Sequence, residues 1–250
     1  PLIEAAYRAK LDRLVEEMCR SAMYWIRAAY RNDHVPEIAA LLAQDESPAL
    51  GLRRVVRRLA RRWQKHFEEL APAMAQHFAT AVKARSDIAL ARNLRKGGMS
   101  VRFKTTRTIN DVLQASIVEN VGLIRTIPQR YFSEIEGMVM RSVQTGRDLK
   151  TLTDQLEAFY GVTRRRATLI SRDQNQKATA VIQRTRQAEL GILRAQWVHS
   201  GGGKEPRPTH VRAGRDKITY NIAEGWLDPA LNRYIWPGTE INCRCVAKPI

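Results

Sequence analysis

Two cysteines stand one residue apart near the end of the chain, Cys243 and Cys245 in PGTEINCRC, in a sequence of 250 residues that holds only three. Thiols at that spacing could do several kinds of chemistry. A disulfide between them would close a small, strained ring. As thiolates they could hold a metal, with His210 or His199 as further donors. Zinc is the candidate ion, and it takes four ligands in a tetrahedron. Beside a histidine, one thiol could instead act as a nucleophile in a thiolate–imidazolium pair. The plainest alternative packs one thiol inward and gives the other a hydrogen bond. On an extended stretch the two side chains point to opposite faces, so joint action needs a turn, and Pro237-Gly238 offers one. C-x-C alone does not decide among these readings, and the residues leave open whether His210 or His199 would join Cys243 and Cys245 on an ion.

No paired carboxylates or other complete catalytic set is visible, so the sequence assigns no catalytic residue. SGGGK, residues 200–204, lacks the second element of a phosphate-binding loop and reads as an ordinary loop. Three cysteines, an odd and low number, argue for a reducing compartment.

The second chemical feature is charge. Lys and Arg number 42 against 25 Asp and Glu, a net charge of +17. Like charges repel in a folded chain, so such an excess points to a polyanionic partner. It is densest in RRVVRRLARRWQKH, where Arg53, Arg54, Arg57, Arg58, Arg61, Arg62 and Lys65 share one helix face. At 1.5 Å per residue those cations run along about 18 Å. Guanidinium forks suit phosphate oxygens, so this face is the predicted site for duplex DNA, bound without regard to sequence. A solvated surface is the competing reading. A second basic run, Arg164, Arg165, Arg166, Arg172, Lys177, Arg184 and Arg186, suits a structural role equally well.

These residues need elements to carry them. Leu11, Leu14, Val15, Met18, Ala22, Trp25 and Ile26 recur at helical spacing, as do Leu52, Val55, Val56, Leu59, Trp63 and Phe67. Cys19 reads as a small core residue. The second helix is predicted to begin with Ser47 as N-cap and Pro48 at its first position. Another runs from about Ala73 to Gly97-Gly98. Pro128 is expected to end a fourth. After a further run ending near Gly146, a short helix closes at Gly161, and Thr163 caps the next, which stops at Gly191. That pair has the outline of a helix-turn-helix, as many αα-hairpins do.

From about residue 192 the pattern changes. ILRAQWVHS and DKITYN read as strands, and WLDPALNRYIWPGTEINCRCVAKPI is too irregular for a long helix. The expected fold is α+β, mainly α: a basic helical region over 1–146, a helical connector over 147–191, and a small α+β module over 192–250. No apolar run reaches the length of a membrane span. The first residues do not read as a signal peptide, and an opening on Pro1 sets the expectation that residues precede it.

Several features fall in a familiar order: the Arg-Asp-Gln of Arg172 to Gln174, Gly191-Ile192 before the Trp197 strand, PRPTHVRAGRD with His210 and Gly214, and the terminal Asn-Cys-Arg-Cys. From Ile127 to the end the chain resembles the phage Mu F-like family of head morphogenesis, or minor head, proteins. The resemblance implies a virion protein of a tailed double-stranded DNA phage. Such a protein would be made in the bacterial cytoplasm and reside in the head interior. Its implied partners are the portal protein, capsid or scaffold proteins, and packaged DNA. Family members often carry a polar His and Cys set in this module, which maps here to His210, Cys243 and Cys245. The family also often has an Asp soon after the Trp strand, where this chain has Gly201 to Gly203 and Lys204. The alternative is an enzyme, a nuclease- or toxin-like C-terminal module using His210 with Arg212, Arg215 or a cysteine. A sequence-specific DNA-binding regulator is a third.

Overall fold

Among the described residues, apolar residues at three- and four-residue steps produce four long helices before any strand forms. The computed structural model describes residues 2–31, 48–146, 148–202 and 205–250. Helix α1 spans Leu2–Arg31, α2 Pro48–Lys96, α3 Arg107–Gln144 and α4 Leu149–Glu189. The α1 stripe is buried from Leu11 to Ile26, with Trp25 half-buried, and the whole Leu52 to Phe67 stripe of α2 is buried. Ser47 and Pro1 lie outside the described residues.

Three expected breaks do not occur. Helix α2 runs through Pro72 rather than restarting at Ala73. Proline removes one N–H and crowds the carbonyl four residues back. Here both Pro72 and Glu68 are exposed, so water can take up the freed carbonyl. Helix α3 runs through the buried Pro128. Ile124, Ile127, Tyr131, Phe132 and Ile135 are all buried around it. Their burial, at about 1.5–3 kcal/mol for each large apolar side chain, outweighs about 3 kcal/mol for an interior proline. Helix α4 runs through Gly161 and Thr163. Glycine costs a helix only about 1 kcal/mol, and Leu152, Leu156, Ala167 and Ile170 are buried on both sides of it. Thr163 is no cap: its hydroxyl donates to the Phe159 carbonyl four residues back, at 3.0 Å. The helix-turn-helix outline is therefore one continuous helix.

The stops fall where the backbone turns left-handed. Gly98 and Gly191 have φ of +84° and +74°. Met99 N–H then reaches the Leu94 carbonyl, and Ile192 N–H that of Gln187, each at 3.0 Å, closing the helix ends as Schellman-type turns.

The chain forms two compact units. One, residues 5–74 and 120–170, contains only helices and the turn between α3 and α4 among the described residues. Its core is the α1 and α2 stripes with Ile124, Ile127, Tyr131 and Ile135. The other comprises residues 1–4, 75–119 and 171–250 and contains every strand. There β1 (Arg194–Val198) is the centre of a three-stranded antiparallel sheet in the order β2-β1-β5, with β2 at Thr219–Asn221 and β5 at Val246–Pro249. A hairpin pairs β3 (Trp226–Asp228) with β4 (Arg233–Ile235). The alternation of β1 buries Ala195 and Trp197 completely. They pack with Tyr220, Ile222, Ile235 and both cysteines. A short helix not expected from sequence, α5 (Pro208–Arg215), has Pro208 in its first turn. A Cβ on its Gly214 would stand 2.5 Å from the His199 Cβ, so glycine is what allows α5 to approach the end of β1.

Candidate functional site

Helix α5 supplies His210, buried to 2% exposure, and the turn before β5 supplies Cys243 and Cys245, each buried to 4%. His210 Nδ1 lies 3.4 Å from the Cys243 sulfur and 3.8 Å from that of Cys245. One ligand atom from each residue lies within 4.8 Å of the others, and all three cysteines of the chain are free. The structure thus brings together the three residues singled out from sequence. His199 does not join them; its Nδ1 accepts the Gly201 N–H at 3.2 Å.

The turn that gathers the two sulfurs is built from both ends. Gly238 (φ +84°) starts it, and its N–H points at the Cys243 sulfur at 3.4 Å. Asn242 takes a left-handed backbone (φ +58°), and its N–H donates to Asp173 Oδ1 at 2.8 Å. Cys243 N–H donates to the Glu240 carbonyl at 2.9 Å. Glu240 is held by Arg233, whose Nη2 lies 2.9 Å from each carboxylate oxygen. Asp173, from the Arg-Asp-Gln of α4, is thereby a positioning residue for the turn.

Behind the imidazole lies a residue that sequence reading did not single out. Asp228, at the end of β3, is fully buried, and its Oδ2 is 3.4 Å from His210 Nε2. The contact is close but not aligned as a hydrogen bond: Nε2 has no hydrogen-bond partner. Asp228 itself is held by Thr209 Oγ1 at 3.2 Å and by the Ala230 N–H at 2.8 Å. Its only sequence signal is an Asp before a Pro, which reads as an ordinary turn. The indole N–H of Trp197, also buried without a formed hydrogen bond, is placed to favour negative charge on Cys245.

The hydrogen bond from the Cys245 thiol holds Cys243 well below the ordinary thiol range, with His210 and the Cys245 and Gly238 N–H groups adding to it against burial. The same bond, with burial, pushes Cys245 up.

These donors fit zinc. Zn–S near 2.3 Å and Zn–N near 2.1 Å at a tetrahedral angle put sulfur and nitrogen about 3.6 Å apart, against the 3.4 and 3.8 Å observed. A carboxylate behind a ligating histidine is the usual outer partner of such an ion. Among the described residues no fourth His, Cys, Asp or Glu joins the group. All three donors line one cavity of about 340 Å³.

The two basic runs differ once folded. On α2, Arg53 and Arg57 meet Glu136 of α3 at 2.6 and 3.3 Å, Lys65 reaches Glu69 at 3.9 Å, and Arg54 is half-buried. Arg58, Arg61 and Arg62 are exposed and make no ion pair among the described residues. On α4 most cations are engaged within the chain. Arg164 faces Asp12 at 3.8 Å and Arg172 faces Glu4 at 3.9 Å. Arg166 donates to Thr126 at 3.0 Å, and Lys177 pairs with Asp173 at 3.1 Å. Arg184 lies 4.2 Å above the Trp236 ring. Arg186, 1% exposed, binds both oxygens of Asp87 and also Glu189 and the Lys104 carbonyl.

Comparison with known proteins agrees with the reading from sequence. Residues 133–248 match the family model described as phage Mu protein F like protein, which supports the phage Mu F-like family over that stretch. A Haemophilus influenzae protein described as uncharacterized is 28% identical over 152 residues, 61% of this chain and 32% of that protein. The chain thus spans about a third of that relative's length. No solved structure matches.

Proposed function

We propose, from the phage Mu F-like match over residues 133–248, that this chain acts in head morphogenesis of a tailed phage as a minor head protein. In this reading it works in the virion head and in the host cytoplasm during assembly. Its partners are the portal, capsid or scaffold proteins, and packaged double-stranded DNA. No described helix is long and apolar enough to cross a membrane. The exposed Arg58, Arg61 and Arg62, with Arg53, Arg57 and Lys65 beside them, supply the DNA-facing surface. Guanidinium contacts to phosphate oxygens fix position without reading bases, which suits a protein that must accept any packaged sequence. The test is quantitative mass spectrometry of purified heads and of procapsids lacking DNA. The chain should be present in both, in few copies relative to the major shell protein. Its absence from both would refute the assignment.

In the same reading His210, Cys243 and Cys245 hold a zinc ion. The ion would supply a cross-link between α5 and the turn leading into β5. Asp228 orients the imidazole, Asp173 holds the turn, and Trp197 closes the apolar side. Elemental analysis of protein purified without a metal-affinity step should give close to one zinc per chain.

A second reading is favoured by one observation: Cys243, His210 and Asp228 touch in series, as nucleophile, base and orienting carboxylate do. Against it, Cys245 shares the same imidazole nitrogen, which a single nucleophile does not require. Incubation with plasmid DNA and with RNA, using His210→Ala as control, separates the readings. Cleavage abolished in the variant would favour the enzyme.

A further inference from the structure

The zinc reading leaves one coordination position for a further ligand, and the walls of the adjoining cavity say what would fill it. Three donors are too few for a closed structural site, which takes four protein ligands. All three border the same cavity, which is therefore where a further ligand would reach the ion. At about 340 Å³ the cavity has the size of a small-ligand site. Its other lining residues include Arg207 and Arg244, both half-buried. Among the described residues each has one hydrogen bond to a backbone carbonyl, Arg207 to Ile241 at 3.1 Å and Arg244 to Gly202. A guanidinium carries five N–H donors, so both retain donors for a ligand. Among the described residues His199 lines the cavity as well, and Glu205 is its one carboxylate. Two thiolates neutralise a divalent zinc, so on the cavity lining two arginines face one carboxylate, while Asp228 lies buried behind the imidazole.

Resting on the zinc reading, we infer that the His210, Cys243 and Cys245 centre binds an exogenous oxyanion of the phosphate class in the cavity lined by Arg207 and Arg244. The ligand's oxygen takes the fourth position on the ion, and the guanidinium forks bind the remaining oxygens. Burial of the donors keeps competing water low, which strengthens these contacts. The size of the cavity admits either a free phosphate or a terminal phosphate on a nucleotide.

Cobalt(II) substitution of the full chain reads this directly. Cobalt should give a thiolate charge-transfer band, and titration with inorganic phosphate should shift its ligand-field bands saturably. Nucleoside 5′-monophosphate in a parallel arm distinguishes the sources: tighter binding than phosphate assigns the cavity to a nucleotide end, and equal binding assigns it to phosphate alone. Arg207→Gln and Arg244→Gln should each weaken the phosphate response about tenfold. The unchanged charge-transfer band in those variants certifies an intact centre. A cobalt protein whose spectrum ignores both anions would overturn this inference and leave the zinc reading standing. Failure to bind cobalt or zinc at all would remove both.

Discussion

Asp228 Oδ2 lies 3.4 Å from Nε2 of His210, the ring nitrogen that the two cysteine sulfurs do not face. A buried carboxylate on that side favours a proton on Nε2 and leaves Nδ1 available to an ion. Asp228→Asn keeps the shape and removes the charge. It should weaken zinc binding about 10- to 100-fold, measured by competition with a chelator, and should alter the cobalt charge-transfer spectrum. An unchanged affinity and spectrum would make Asp228 a purely structural residue.

Gly214 is a steric test of how α5 meets β1. Gly214→Ala places a methyl 2.5 Å from the His199 Cβ and 2.9 Å from its backbone nitrogen. Overpacking of this kind costs about 1–3 kcal/mol, so the denaturation midpoint should fall. Gly122 of α3 has open space around its Cβ position. Gly122→Ala should instead stabilise by about 0.5–1 kcal/mol, and the opposite signs are the expected outcome in urea melts.

Arg186 binds Asp87 through both carboxylate oxygens, at 2.9 and 3.0 Å, while itself almost fully buried. Arg186→Met removes the fork from Asp87 but leaves it the Lys83 ammonium at 3.2 Å, and should cost about 1.5–3 kcal/mol. Arg186→Lys should recover only part of that, because an ammonium cannot form the fork. Replacing both partners, Arg186→Met with Asp87→Leu, should destabilise less than Arg186→Met alone.

The stripes that bury α1 and α2 were readable from spacing alone. The breaks expected at Ala73, Pro128 and Gly161 were not real, because local propensity is worth about 1–3 kcal/mol and the apolar residues flanking each site outweigh it. His210, Cys243 and Cys245 do lie together, but it was the family resemblance and not their spacing that joined them, since C-x-C alone left metal, nucleophile and simple packing open. Asp228 was not readable: before Pro229 it looks like any turn aspartate, and only the pairing of β3 with β4 buries it. The two basic helices look alike in sequence. They differ through acids far away in the chain, Glu4, Asp12, Asp87 and Glu136, whose positions no local pattern encodes.

Glu136 carries a pH signature. The Arg53 hydrogen bond, with the charges of Arg57 and Arg53 adding, holds its carboxyl below the usual glutamate value against the opposing effect of burial. A carboxyl lowered in the folded state stabilises above its unfolded pKa, and that contribution disappears as pH falls through the folded value. Thermal melts should therefore show Glu136→Gln less stable than the parent at neutral pH, with the gap closing in acid below about pH 4. A gap constant from pH 7 to pH 3 would contradict the pairing.

The most direct measurement is the affinity of the chain for random-sequence duplex DNA across a range of salt concentrations. Binding should be independent of sequence, with log K falling linearly against log salt. Replacing Arg58, Arg61 and Arg62 with Gln should reduce that slope by about 0.9 for each phosphate no longer neutralised. The same substitutions at Arg164 and Arg172, already facing Asp12 and Glu4, should change it far less. No binding at low salt, or a slope unaffected by removing the three exposed arginines, would contradict a role for this face on packaged DNA.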